Sequence, residues 1–523
     1  MKRILMYGRF GFGLGPFLRK RITVSQAQKA VRWRLAHREE LFLRLARKGI
    51  FGYSRSPYLP LLRAAGIDFS RLRSLVLKQG LENALEELYE RGVYIDFEEF
   101  KGYKPIVRNG VKVDVTANDF DNPYLTQCYA ARTGGSTGAG KRVAVDLEQI
   151  YWECAWRILV CESHGIIDQP YAAWRPTLPA SSGFFNVLRQ VVLGNPAREW
   201  FVPIDLSEST LKRRCILFYV LLVSRLFGGK IPVPRLSSLS SPRPLLKWIK
   251  STLEDEGPCV VSAGVSMAVR ACLGAAEQGL SLEGVTFHGG GEPPTPEKVS
   301  TMHETGARWI PNYATTEAGG IGSGCAEPLD GSDVHVALDS FALVQRKRSV
   351  EGIDGTVDAL YLTTLSPAAS KLMLNTGLDD YAIVERRDCG CPLGRIGFDL
   401  HLRRIRSFAK LTGEGVSLVH TDLAELLQSE LPARFGGSAL DYQLMEEEDG
   451  QGLTKLVLLV HPRVVIEDER AMRQVLLDGL RKGNSGAGYA AQIWERGNSL
   501  EVRSQEPLWT SAGKLLPLRR KPL

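Results

Sequence analysis

The middle of the chain alternates short apolar segments, glycine-rich turns and helix starts, and this alternation limits the fold more than any other feature. Val285-Thr286-Phe287 is strand-like and Gly289-Gly290-Gly291 turns; Thr295-Pro296-Glu297 then supplies a capping hydroxyl and a first-turn proline. Such succession favours an α/β architecture. The flanks read differently. Residues 1–100 are mainly helical: Val24 to Lys48 carries Val31, Leu35, Leu41 and Leu45 at helical spacing without an internal Gly or Pro, and Leu81 to Arg91 repeats the pattern. In the last third, Leu402 to Val419 reads as strand–turn–strand, Thr421 to Leu431 and Glu467 to Arg481 as helices, and Leu453 to His461 as a strand. The expected plan is a large α/β domain, with residues 1–100 as its helical part and 101–405 as its core, followed by a small α+β domain over 406–523. No internal repeat is visible.

A chain of 523 residues exceeds one ordinary core, since a domain takes roughly 150 residues. Its 44% hydrophobic and 24% charged residues suit a globular protein and argue against disorder. The net charge is +8. Basic clusters lie near the start (Arg19, Lys20, Arg21, then Arg32, Arg34, Arg38) and at the end (Arg519, Arg520, Lys521). Such clusters suit nucleic acid or anionic lipid, but they read first as solvated helix faces and a frayed tail, and no Arg- and aromatic-rich signature makes nucleic acid an expected partner.

Two segments imitate targeting signals. Met1 to Leu18 is broken by Arg9 and several glycines and has no small-residue cleavage site, which argues against a signal peptide. The apolar run Cys215 to Val223 is far short of the ~20 residues that span a bilayer, and reads as a buried strand or core helix. The expected location is cytoplasmic. Nine cysteines in such a chain do not suggest a disulfide framework.

The sharpest local signal is Thr133-Gly134-Gly135-Ser136-Thr137-Gly138-Ala139-Gly140-Lys141. Its glycines let backbone amides approach an anion, its hydroxyls donate, and Lys141 adds charge: the chemistry of a triphosphate cradle. Gly135 to Lys141 fits part of a P-loop, but Arg142 stands where a magnesium-binding Ser or Thr belongs. The alternatives are the phosphate loop of an adenylating enzyme and a plain surface loop.

Downstream motifs give the loop a context. Gly290-Gly291-Glu292-Pro293 precedes Asn312-Tyr313-Ala314-Thr315-Thr316-Glu317; Asn375-Thr376-Gly377-Leu378-Asp379-Asp380-Tyr381, Arg406-Ser407-Phe408-Ala409 and Ser511-Ala512-Gly513-Lys514 follow. In this order the chain resembles the adenylate-forming (acyl-CoA synthetase) superfamily, most closely its phenylacetate–coenzyme A ligase branch, from about Ser56 to the C-terminus. The resemblance implies that Thr133, Gly134, Ser136, Thr137, Gly138 and Lys141 hold ATP phosphates. Tyr313 would stack on adenine against Gly290 and Gly291, with Glu292, Pro293, Asn312, Ala314 and Thr315 completing the nucleotide site. Thr316 would bond the α-phosphate and Glu317 would hold Mg²⁺. Asp380, with Asp379 as second choice, would take the ribose, because Leu378 stands where the usual Asp follows Thr-Gly. Arg406 would contact ribose or phosphate, and Lys514 would stabilise the adenylation transition state. The usual hinge Asp is replaced by Phe408 or Ala409.

The same resemblance implies a structural Zn²⁺ on Cys325, His335, Cys389 and Cys391, donors that suit a tetrahedral site; the alternative is buried thiols and a strand histidine. The expected reaction converts a carboxylic acid and MgATP to acyl-AMP, then passes the acyl group to a thiol, coenzyme A or a carrier-protein phosphopantetheine, or to an amine. The segment Trp174 to Val187 is the expected acid pocket, with Ser182, Gly183, Phe184 and Phe185 lining it for an aryl or apolar acid. A P-loop NTPase and a degenerate adenylate-fold binding protein are the rivals. Oligomeric state is left open, a homodimer included.

Overall fold

The computed structural model describes residues 2–125, 128–132, 142–177, 182–203, 211–239, 241–291, 293–349, 356–407, 412–413, 416–417, 425–448, 454–481, 500–509, 513, 515 and 517–520. Helix α1 (Lys2–Arg19) opens the chain. The helix expected over 24–48 breaks at His37, whose ring nitrogen lies 2.7 Å from Trp33 O. It resumes over Arg38–Leu45 and ends in a π-helical turn, Ala46–Phe51, where Gly49 lets the backbone approach Leu372. Two basic residues read as solvated are not. Arg34 is buried, pairs with Asp339 at 3.1 Å and lies 3.6 Å over Trp152, and Arg38 bonds Leu338 O and pairs with Glu82. Both charges tie the helical part to the sheet.

The large sheet has twelve strands. In chain order they are β1 (Tyr171–Trp174), β2 (Glu199–Val202), β3 (Arg235–Leu236), β4 (Cys259–Gly264), β5 (Val285–Gly290), β6 (Arg308–Thr315), β7 (Gly319–Gly324), β8 (Val334–Val336), β9 (Phe341–Ser349), β10 (Thr356–Thr364), β11 (Thr376–Arg386) and β12 (Leu400–Ser407). Their spatial order is 9-10-11-12-8-7-6-5-4-1-2-3. Strands 3-2-1-4-5-6 are mutually parallel and the rest pair antiparallel. The parallel half is buried on both faces: Tyr171 and Ala173 belong to one core cluster, Ala172 and Trp174 to the other. Double burial explains why its strands read as continuous apolar runs.

Helices α2 (Leu147–Ser163) and α3 (Ser182–Val192) cover one face, and α4 (Leu211–Leu226) packs beside α1. The run 215–223 is thus helical, but Phe218 and Leu222 point outward rather than into a core. Helix α5 (Val265–Ala276) lies on the opposite side.

Four strands toward the C-terminus form a second sheet, in the order Leu500–Ser504, Thr454–Val460, Tyr442–Glu448, Leu518–Arg520. Helix Glu469–Arg481 packs on it through Met472 and Leu476. This unit touches the large sheet's own layers. Leu440 and Leu515 join the core cluster of α5, and Trp509 lies 3.5 Å from the Arg270 guanidinium.

Candidate functional site

A parallel sheet with strand order 3-2-1-4-5-6 reverses direction between β1 and β4, and ligands bind outside the carboxyl ends at such a switch point. The motif residues sit at these ends. Asn312 of β6 faces Gly290 of β5 in parallel register, and a Cβ on Gly290 would stand 1.9 Å from Asn312 O, so only glycine fits. Gly291 follows at φ 98, a left-handed backbone that glycine tolerates. Pro293 is exposed beyond it. Arg157 donates to Asn312 Oδ1 at 3.2 Å.

The β6–β7 register shifts between Tyr313 and Ala314, an irregularity that re-aims side chains next to the turn. Thr315 Oγ1 caps that turn by accepting from Ala318 N at 3.1 Å. Thr316 and Glu317 occupy the turn itself, and Glu317 is only 9% exposed. Its carboxylate is ion-paired with Lys101, which follows the short helix Phe97–Phe100.

Tyr313 Oη donates to Asp380 Oδ2 at 2.8 Å. Burial, then the Asp380 carboxylate, holds the Tyr313 phenol well above its ordinary range and keeps it a donor. Asp380 lies on β11 opposite Ser407, with Arg406 opposite Tyr381. Asp379 has φ 62 and Asn375 φ 44, left-handed conformations that non-glycine residues rarely hold. Asn375 is fixed there by bonds to Leu85 O at 2.7 Å and Val93 O at 3.2 Å. The fold thus joins Gly290 to Asn312 in register and Tyr313 to Asp380 by a hydrogen bond, with Thr316 and Glu317 in the turn after Tyr313 and Arg406 on the strand paired with that of Asp380. Thr133, Gly134, Ser136, Thr137, Gly138, Lys141, Glu292, Phe408, Ala409 and Lys514 lie outside the described residues. Flanking Lys514, Gly513 adopts φ 73 against Met267 of α5, and Leu515 is buried.

The expected acid pocket is more polar than its phenylalanines suggest. Phe184 and Phe185 are buried and pack on each other, and Phe184 also meets Phe10 of α1. Ser182 is exposed, and Gly183 sits too close to Pro176 O for any Cβ. At the switch point Arg175 donates to Ala263 O at 2.7 Å and Ser262 Oγ at 3.1 Å. Burial pulls its pKa down to about 10, and no carboxylate pairs with it among the described residues.

A second cluster lies at the β8–β12 pair, where His335 and His401 are cross-strand neighbours. His335 Nε2 is 3.1 Å from Cys391 Sγ and 3.8 Å from Cys389 Sγ. Donor atoms of Cys325, His335, Cys389 and His401 all lie within 4.8 Å of one another. A hydrogen bond from Cys325 pulls the Cys391 thiol well down, and the same pairing raises Cys325. Around a tetrahedral Zn²⁺ with bonds of about 2.0–2.3 Å, ligand atoms stand roughly 3.3–3.8 Å apart, so a group bounded at 4.8 Å needs a modest contraction to hold the ion. His335 Nδ1 is anchored on Phe398 O at 2.6 Å and His401 Nδ1 on Asp333 at 2.8 Å, leaving both Nε2 atoms to face the thiols. His401 Nε2 is buried without a hydrogen-bond partner. Sequence reading missed His401, Lys101 and Arg175. Each lacks a spacing motif, and only the cross-strand pairing of His335 with His401 would have exposed one.

A scan against protein-family models and a search of curated proteins each return no match. Two solved structures of 2-hydroxyisobutyryl-CoA ligase in the postadenylation state do match. The complex with 2-HIB-AMP has a TM-score of 0.54 at 13% identity, over 96% of this chain and 91% of that chain. The complex with R3-HIB-AMP has a TM-score of 0.53 at 13% identity, over the same 96% and 91%. At this identity the likeness concerns the fold alone: this chain has the fold of those ligase structures.

Proposed function

We propose that this chain is an AMP-forming acid–thiol ligase of the adenylate-forming superfamily, of the phenylacetate–coenzyme A ligase type. The observation that carries the reading is the bond of Tyr313, at the carboxyl end of a parallel strand, to Asp380, with Glu317 in the turn after Tyr313 and Arg406 on the strand paired with that of Asp380. Tyr313 and Gly290 bracket adenine, Asp380 and Arg406 take the ribose, and Thr316 meets the α-phosphate. Glu317 supplies the carboxylate for Mg²⁺, which offsets charge on phosphate oxygens. The substrate carboxylate attacks the α-phosphorus: one O–P bond forms, the bond to pyrophosphate breaks, and acyl-AMP remains. Lys514 and the loop 133–141 stabilise that transition state. Residues 406–523 then act as the small mobile domain, and a thiol, coenzyme A by preference, displaces AMP.

One observation bears on the acid. Arg175 stands at the switch point with only neutral oxygens as partners among the described residues, while Phe184 and Phe185 are held in the core. A buried guanidinium without a counter-charge favours an acceptor-bearing acyl group over a bare aryl ring. Arg175→Met then raises KM for the acid roughly tenfold or more and leaves that for ATP unchanged.

The test is mass spectrometry of products formed from ATP and a panel of acids, with and without coenzyme A. Acyl-AMP without the thiol and acyl-CoA with it are expected, and Lys514→Ala abolishes acid-dependent ATP–pyrophosphate exchange. Failure of every acid in the panel to support exchange removes the adenylation reading; acid-independent hydrolysis that needs Lys141 but not Lys514 replaces it with the P-loop one.

A further inference from the structure

Helix α4 is apolar on both sides. Val220 and Val223 face the protein, while the opposite stripe exposes Leu211 (78%), Phe218 (68%), Leu222 (45%) and Leu226 (70%). A second apolar stripe left in water calls for a covering surface. This one has 16 residues, and no helix among the described residues is long and apolar enough to cross a membrane.

The neighbouring helix extends the surface. Tyr219 Oη of α4 donates to Gly11 O of α1 at 2.9 Å. Gly11 and Gly15 permit that approach: a Cβ would lie 3.2 Å from Tyr219 Oη at the first and 2.7 Å from the Phe227 ring at the second. Between the two glycines Phe12 projects outward, 87% exposed. The result is one two-helix face bearing Phe12, Phe218, Leu222 and Leu226.

Charge selects what covers it. Arg9 and Arg19 of α1 and Arg214 and Arg225 of α4 are exposed; by sequence the two helices hold eight basic residues in all and no acidic one. These eight cations equal the chain's net charge of +8, so the other residues balance and the excess lies on this pair. A second copy docked on the same face would bring cations against cations. Nucleic acid would use the charge but leave exposed Leu and Phe in water. An anionic bilayer surface takes both: headgroups meet the basic residues while Phe and Leu enter the acyl boundary. We propose that the α1–α4 face seats this protein on anionic lipid, as a surface-bound rather than a spanning protein.

The test is flotation of the full chain with vesicles of phosphatidylcholine alone or mixed with phosphatidylglycerol. The expected result is about tenfold or greater enrichment on the anionic vesicles at low salt, lost at high salt as screening shortens. The double variant Phe218→Ser/Leu222→Ser abolishes enrichment, whereas Phe218→Leu retains it; an unchanged circular dichroism spectrum shows that the variants are folded. Equal recovery from both vesicle types, enrichment retained by the double serine variant, a solution dimer that this variant dissociates, or tighter binding to duplex DNA than to anionic vesicles would each overturn the proposal.

Discussion

Tyr313 Oη donates a 2.8 Å hydrogen bond to Asp380 Oδ2 across 67 residues of chain, linking the residue proposed for adenine to the one proposed for ribose. Tyr313→Phe keeps the ring and removes the bond. It should raise KM for ATP about fivefold to tenfold, the worth of roughly 1–1.5 kcal/mol, with a smaller change in kcat. Asp380→Ala should raise it further, whereas Asp379→Ala should not. Equal effects at the two aspartates would shift the ribose to Asp379.

Lys101 occupies the Glu317 carboxylate that the proposed chemistry needs for Mg²⁺. Glu317 would hold the metal only after parting from this ammonium. Lys101→Met should lower the Mg²⁺ concentration for half-maximal pyrophosphate exchange by roughly tenfold, while lowering Tm because a nearly buried carboxylate loses its partner. A raised Mg²⁺ requirement would instead make Lys101 a phosphate ligand.

Purified protein should hold one Zn²⁺ per chain by elemental mass spectrometry. Cys325→Ser and His335→Ala should each lose most of it and unfold at lower temperature, since structural zinc contributes directly to folding. His401→Ala separates two arrangements: metal loss makes His401 a ligand, and retained metal leaves the three thiols with His335.

Burial holds His288 neutral, well below the ordinary histidine value, with the nearby Arg157 charge adding to the effect. The unfolded chain still takes up a proton near pH 6.5, so this residue costs stability as pH falls through that value and nothing above it. Chemical denaturation should show His288→Gln flattening the loss below pH 6.5 by up to ~1.4 kcal/mol per pH unit.

Much of this was legible in the sequence because the site is made of strand ends and turns, where glycine and hydroxyl patterns are read directly. Gly290 is glycine because Asn312 O lies against it, and Thr315 caps the very turn that holds Thr316 and Glu317. What was not legible depends on pairing distant segments. Lys101 and Glu317 are 216 residues apart, and His401 reaches the thiols only through its register with His335. The outward apolar face of α4 was hidden too, since an apolar run reads as core whichever side it presents.

Trp509 lies 3.5 Å from the Arg270 guanidinium, between the terminal sheet and α5. An indole stacked on a cation emits differently from one in water. Any rotation that parts residues 500–520 from α5 must part this pair, so the protein carries its own optical gauge of domain position. If the proposed acyl-AMP and thiol steps turn the terminal sheet against α5, the same signal would follow them in real time, without a label.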